Sequence, residues 1–167
     1  VVSPGTLVPG EQSFQKSNNF IVSLFFSKVS AGYAVLDQST GEFYLGESTV
    51  NKLSEDLRQF APKEILIADS QPYITADWYT QLKPFISRVE DWVFDYDHGY
   101  RLLTDHFNTP SLKGFGCENL RLGIGAAGAM MYQMKQNFNS PLNHISKLKP
   151  ILRESVMGLD SFTMRNL

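Results

Sequence analysis

Phe20-Ile21-Val22-Ser23-Leu24-Phe25-Phe26-Ser27 is apolar at even and odd positions alike, with Ser23 its one polar residue before Ser27. A strand with one wet face alternates. A run apolar on both parities belongs to a strand covered on both sides, in the interior of a sheet. Downstream, residues 32–37 read as a second strand after a tight turn at Val29-Ser30-Ala31. Phe43 and Leu45 alternate inward on a third, after a turn over 38–41. Connections this short force antiparallel pairing, so the three strands form a meander.

The pattern then changes to β/α alternation. Leu53, Leu57 and Phe60 fall at i, i+4 and i+7, one helical stripe, which Ser48 or Thr49 can cap and Pro62 follows. Ile65-Leu66-Ile67-Ala68 is a short continuous apolar run, as in a buried parallel strand. Residues 75–82 read as a helix ended before Pro84, and Val89, Trp92 and Phe94 mark another strand. Tyr96, Tyr100, Leu103 and Phe107 give a second helical stripe. After a turn at Lys113-Gly114-Phe115-Gly116, a third and longest stripe follows: Leu120, Ile124, Ala127, Met131, Met134 and Phe138, with steps of four and three that suit a packed seam. Pro141 and Pro150 interrupt what comes next.

The organisation expected is a linker over residues 1–18, where Pro4, Gly5, Pro9 and Gly10 oppose regular structure. One α/β domain follows over 19–138, and then a linker into a truncated further domain over 139–167 whose residues pack loosely. The final Leu159-Asp160-Ser161-Phe162-Thr163-Met164-Arg165-Asn166-Leu167 reads as an amphipathic helix start with nothing to close it. The chain is therefore read as a piece of a longer protein.

Composition narrows the function. Of the 167 residues 43% are apolar and twelve are Phe, which favours one well-buried core over disorder. A formal charge of −2 lacks the electrostatic footprint of an autonomous nucleic-acid binder. Cys117 is the only cysteine, so a disulfide framework and a zinc-finger ligand set are excluded within the chain, and a cytoplasmic protein is expected. No apolar run is long enough to span a bilayer, so no membrane partner is expected.

Few constellations carry chemistry. Gly123, Gly125 and Gly128 spell G-x-G-x-x-G, but the helical stripe runs straight through them, without the strand before and the acid after that a dinucleotide site needs. Small residues for close helix packing are the reading adopted. Asp91, Asp95, Asp97 and His98 form an acidic cluster, read as a solvated strand-to-helix junction with Asp95 as cap rather than as a metal site. His98, His106 and His144 have no zinc-binding spacing. Cys117 reads as a small core residue. Neither a nucleophile elbow nor a P-loop occurs, so no cofactor is expected in this piece.

Several motifs appear together and in order: Ser3-Pro4-Gly5-Thr6, Leu36-Asp37 with Ser39-Thr40-Gly41-Glu42-Phe43, Pro62 with Glu64-Ile65-Leu66, Gly114-Phe115-Gly116, Ala126-Ala127-Gly128-Ala129, His144-Ile145, and Leu159-Asp160 with Thr163 and Arg165-Asn166-Leu167. Across the whole chain this set resembles the MutS family of DNA mismatch-repair proteins, specifically its connector domain (domain II) and the start of its lever domain (domain III). The family usually has Thr at Ser3, and acid-Thr-Gln at Lys135-Gln136-Asn137. The resemblance implies an α/β, RNase H-like mixed sheet: a three-stranded antiparallel meander, β/α units and flanking helices. It also implies that the complete protein binds mismatched DNA and uses ATP and Mg²⁺ through domains outside this chain. The connector would then relay state between those domains and dock a MutL-type repair partner.

Two functions compete. One is this non-catalytic interaction module. The other is a metal-dependent nuclease of RNase H-like fold, which needs carboxylates on the first strand, first helix and fourth strand. Residues 20–27 contain no Asp or Glu. Asp37 ends the second strand, Asp69 follows the fourth, and Glu55 and Asp56 sit on the first helix. Asp37 reads as a turn former whose carboxylate accepts backbone N–H groups near Ser39 and Thr40. For the module, the expected docking face is the exposed side of the last two helices. It carries Asp97, Arg101 and Asp105, spaced to form i, i+4 ion pairs, together with Tyr132, Lys135 and Gln136.

Overall fold

The two-sided apolar run forms β1 (Phe20–Phe26) and lies inside the sheet. The computed structural model of the chain describes residues 19–71, 83–137 and 142–151. The expectations for 1–18, the helix over 75–82, Phe138 and the segment beyond Ile151 lie outside the described residues. β1 is followed by β2 (Ser30–Asp37), β3 (Phe43–Thr49), α1 (Val50–Arg58), β4 (Glu64–Ala68) and β5 (Phe85–Val89). A 3₁₀ turn (Asp91–Phe94), α2 (Tyr96–Phe107), a second 3₁₀ turn (Lys113–Phe115), α3 (Arg121–Asn137) and β6 (Lys149–Pro150) complete the described elements.

The sheet has six strands in the order β5-β4-β1-β2-β3-β6. β1, β2 and β3 form the antiparallel meander, while β4 pairs with β1, β5 with β4 and β6 with β3 in parallel. Alternation along the strands divides the core. Val22, Leu24, Tyr33, Val35, Ile65 and Ile67 face Leu53, Leu57 and Phe60 of the α1 side. Ile21, Ala34, Leu36, Phe43, Leu45 and Leu66 face α2 and α3. This is the expected α/β, RNase H-like mixed sheet. Of the two candidate caps for α1, Thr49 serves: its hydroxyl accepts the Lys52 N–H at 3.2 Å. Asp37 folds its own turn, with Oδ1 accepting the Ser39 N–H at 2.9 Å.

Four expectations are corrected. The first turn closes earlier, so Ser30 and Ala31 already belong to β2. The strand expected through Trp92 and Phe94 ends at Val89. Consecutive Val93 and Phe94 are both buried while Trp92 is exposed, a pattern a tight turn delivers and an alternating strand does not. Asp95 is the α2 N-cap residue, but its side chain makes no capping bond. Finally, the chain does not loosen over 142–151. Leu142, Ile145 and Leu148 are buried in the α2–α3 side of the core, and β6 extends the sheet beside β3. Their three-residue spacing between two prolines hides a buried strap inside a stretch that reads as a linker.

Candidate interaction face

α3 lies on the sheet and α2 lies on α3, and glycines set both distances. A Cβ built on Gly32 of β2 would fall 2.2 Å from the Leu122 carbonyl carbon, and one on Gly123 would fall 2.9 Å from Leu45 Cδ1. A Cβ on Gly125 would fall 2.3 Å from the Phe94 carbonyl oxygen, and one on Gly99 2.6 Å from that of Ile124. The G-x-G-x-x-G run is therefore the interior of a helix packed against backbone on two sides, as its periodicity indicates. The Ser23 hydroxyl adds a polar tie from β1, donating to the Ala126 carbonyl at 2.6 Å with both groups buried.

Two anchors of this pair escape sequence reasoning. The Glu47 carboxylate of β3 accepts the Leu122 N–H at 2.7 Å, satisfying one of the donors that a helix start leaves open. His106 Nε2 lies 2.8 Å from the Ile145 carbonyl oxygen and ties the strap to α2. Neither has a local signal, because each pair meets only through the fold.

The six residues expected to form the docking face divide into groups. Asp97 and Arg101 are exposed and line an open groove of about 470 Å³ with Tyr96, Tyr100 and Thr104. Asp105 and Lys135, also exposed, come together across a second groove of about 460 Å³ that His106, Asn143 and Ser146 share. Gln136 is exposed beside Lys135. Tyr132 is half-buried, with its ring edge-on to Trp92 and His98 at centroid distances of 5.4 and 5.7 Å. The polar end of the cluster is the indole of Trp92, which donates to Glu90 at 2.8 Å and is 45% exposed. Among the described residues no ion pair joins Asp97, Arg101 and Asp105, so the face presents these charges to solvent.

The other candidate groups are dispersed. Asp37 lies opposite Phe20, at the start of β1, whereas Asp69 follows β4 and, by continuation of the β1–β4 register, falls level with Phe26 at the other end of β1. At about 3.3 Å per residue the two carboxylates sit roughly 20 Å apart along the strand direction, too far to share a pair of metal ions. Asp91 is engaged by the Ser70 side chain and N–H, which lower its pKa. Cys117 is buried, and that burial, with a smaller contribution from Glu118, raises its thiol to about 11, the state of an inert core cysteine.

What the geometry describes is an α/β domain with two stacked helices on one side of a mixed sheet. A family model described as MutS domain II matches residues 19–146. The chain belongs to that family. Over its full length it is 36% identical to the DNA mismatch repair protein MutS of Flavobacterium psychrophilum, 35% to that of Parabacteroides distasonis and 34% to that of Flavobacterium johnsoniae. The chain spans 19% of the length of each of these relatives. Among the described residues no helix is long and apolar enough to cross a membrane.

Proposed function

We propose that this domain serves as a non-catalytic connector in a mismatch-repair protein of the cytoplasm. It relays conformational state between neighbouring domains of its own chain and docks a MutL-type repair partner on the exposed sides of α2 and α3. ATP and Mg²⁺ use, and contact with mismatched DNA, belong to the complete protein.

The observation that carries this reading is the backbone-to-backbone seating of α2 on α3. It makes two helices one stiff body and so holds Arg101, Asp105, Lys135 and Tyr132 in fixed relation. A preorganised face loses little conformational freedom on binding. Its charges are mixed and solvated, which suits a transient, partly electrostatic encounter. The nuclease alternative has no such support, because its carboxylates are dispersed and Ser23 stands mid-strand on β1.

The test is a titration of the chain with a MutL-type protein at low and raised salt. Saturable binding that weakens with salt is expected. Absence of saturable binding by the folded chain at low salt would refute docking through this domain alone. Cleavage of RNA or DNA by the chain with Mg²⁺ or Mn²⁺ would restore the nuclease.

A further inference from the structure

The strap that ends in β6 and the start of α3 are held by the same three residues of β3. Leu45 offers its carbonyl to the Ile151 N–H at 2.8 Å. Its side chain, on the other face, touches the place where Gly123 lacks a Cβ. Gly46 lies between the two elements: a Cβ built on it would meet Ile151 Cβ at 3.2 Å, and its carbonyl lies 3.0 Å from one built on Gly123. Glu47 accepts the Leu122 N–H. These contacts fall on opposite sides of one strand, because alternation sends Leu45 and Glu47 toward α3 and Gly46 toward Ile151.

From this shared support we infer that the strap and the α3 start are energetically coupled through Leu45-Gly46-Glu47. The occupancy of the β6 position would then bias the seating of α3, and with it the two-helix face. The consequence for partner docking rests on the function proposed above; the coupling itself does not. β3 has no other edge partner among the described residues: β6 covers it at Tyr44 and Leu45 only. β3 is held on one side by full pairing with β2 and on the other by this two-residue ladder, so loss of β6 would leave its outer edge unpaired along its whole length. A displacement of β3 shifts the Glu47 carboxylate against a helix start that tolerates little, since Gly32 and Gly123 leave no slack above the sheet. Two neighbouring bonds on one element give a contiguous physical link, and linkage requires the coupling to act in both directions.

Amide hydrogen exchange on the chain alone tests this without any partner. Ile151→Pro removes the N–H that bonds Leu45, while Ile151→Ala keeps it and trims the side chain. Glu47→Gln keeps the size of the α3 anchor and removes its charge. With coupling, Ile151→Pro speeds exchange at Leu122 and Ile124 by about tenfold or more, and Ile151→Ala does so much less. Reciprocally, Glu47→Gln speeds exchange at the Ile151 amide. The amides of Val22 and Ile65, in the sheet interior, change little. Unchanged exchange at Leu122 in Ile151→Pro, or at Ile151 in Glu47→Gln, would overturn the inference. So would equal acceleration at Val22 and Ile65, which would mean simple loss of global stability. Unchanged partner binding in an Ile151→Pro chain that shows this exchange pattern would instead count against the docking function and leave the coupling standing.

Discussion

Gly99 and Gly128 meet at the crossing of α2 and α3, and a Cβ built on Gly128 would lie 2.3 Å from the Gly99 Cα. The contact is backbone against backbone, with no side-chain end able to yield. Two effects therefore oppose each other in Gly128→Ala. Helix propensity favours Ala by about 1 kcal/mol, while the clash forces the helices apart. Overpacking of this kind costs roughly 1–3 kcal/mol, so Ala is expected to destabilise and Leu to do so more. Urea midpoints of the two variants measure the sign. A stabilised Gly128→Ala protein would show that the glycine serves no packing purpose.

Ser23 occupies the mid-strand position where a nuclease of this fold needs a carboxylate, and its hydroxyl bonds the Ala126 carbonyl. Removing that bond in Ser23→Ala costs about 0.5–1.5 kcal/mol. Ser23→Asp costs more, because a buried carboxylate then faces a carbonyl oxygen with no donor. Denaturation should rank the variants wild type, Ala, Asp. Mg²⁺ should not rescue Asp, since Asp37 and Asp69 flank opposite ends of β1.

His106 makes stability depend on pH. Burial pushes its pKa below the ordinary value, with Lys135 and His144 adding in the same direction and the Ile145 carbonyl opposing. The folded protein then binds fewer protons at this site than the unfolded chain. The stability from neutral His106 is present above the unfolded value of about 6.5 and is lost as pH falls from there through the folded one. His106→Gln, which keeps a donor for Ile145, should flatten the decline in unfolding free energy between about pH 7 and about pH 5.5. An identical decline in both proteins would show that His106 does not set this pH dependence.

What could be read in advance follows from whether the cause is local. The position of β1 and the extents of α2 and α3 were legible because burial on both faces, or on one helical stripe, imprints a period on neighbouring residues. The exposed charges of Asp97, Arg101, Asp105 and Lys135 were legible as the complement of those stripes. The Glu47–Leu122 bond joins residues 75 positions apart and leaves no periodic trace. The strap was missed because prolines marked it as linker while its burial depends on the α2–α3 side of the core that receives it. The surroundings of Tyr132 were missed for a related reason. Assigning Trp92 to a strand placed its ring elsewhere, whereas the 3₁₀ turn brings it to Tyr132.

In the function proposed above, the α2–α3 face docks the repair partner. The direct measurement is the affinity of a MutL-type protein for the chain carrying Arg101→Glu and Lys135→Glu together. Both side chains are exposed, so the melting temperature should stay within a few degrees of wild type, as for surface substitutions within about 0.5 kcal/mol. Affinity should fall by about tenfold or more, and the loss should shrink as salt rises. Unchanged affinity in this double variant, with binding lost instead on reversing Lys52, Glu55 and Arg58 of α1 on the opposite side of the sheet, would contradict the claim.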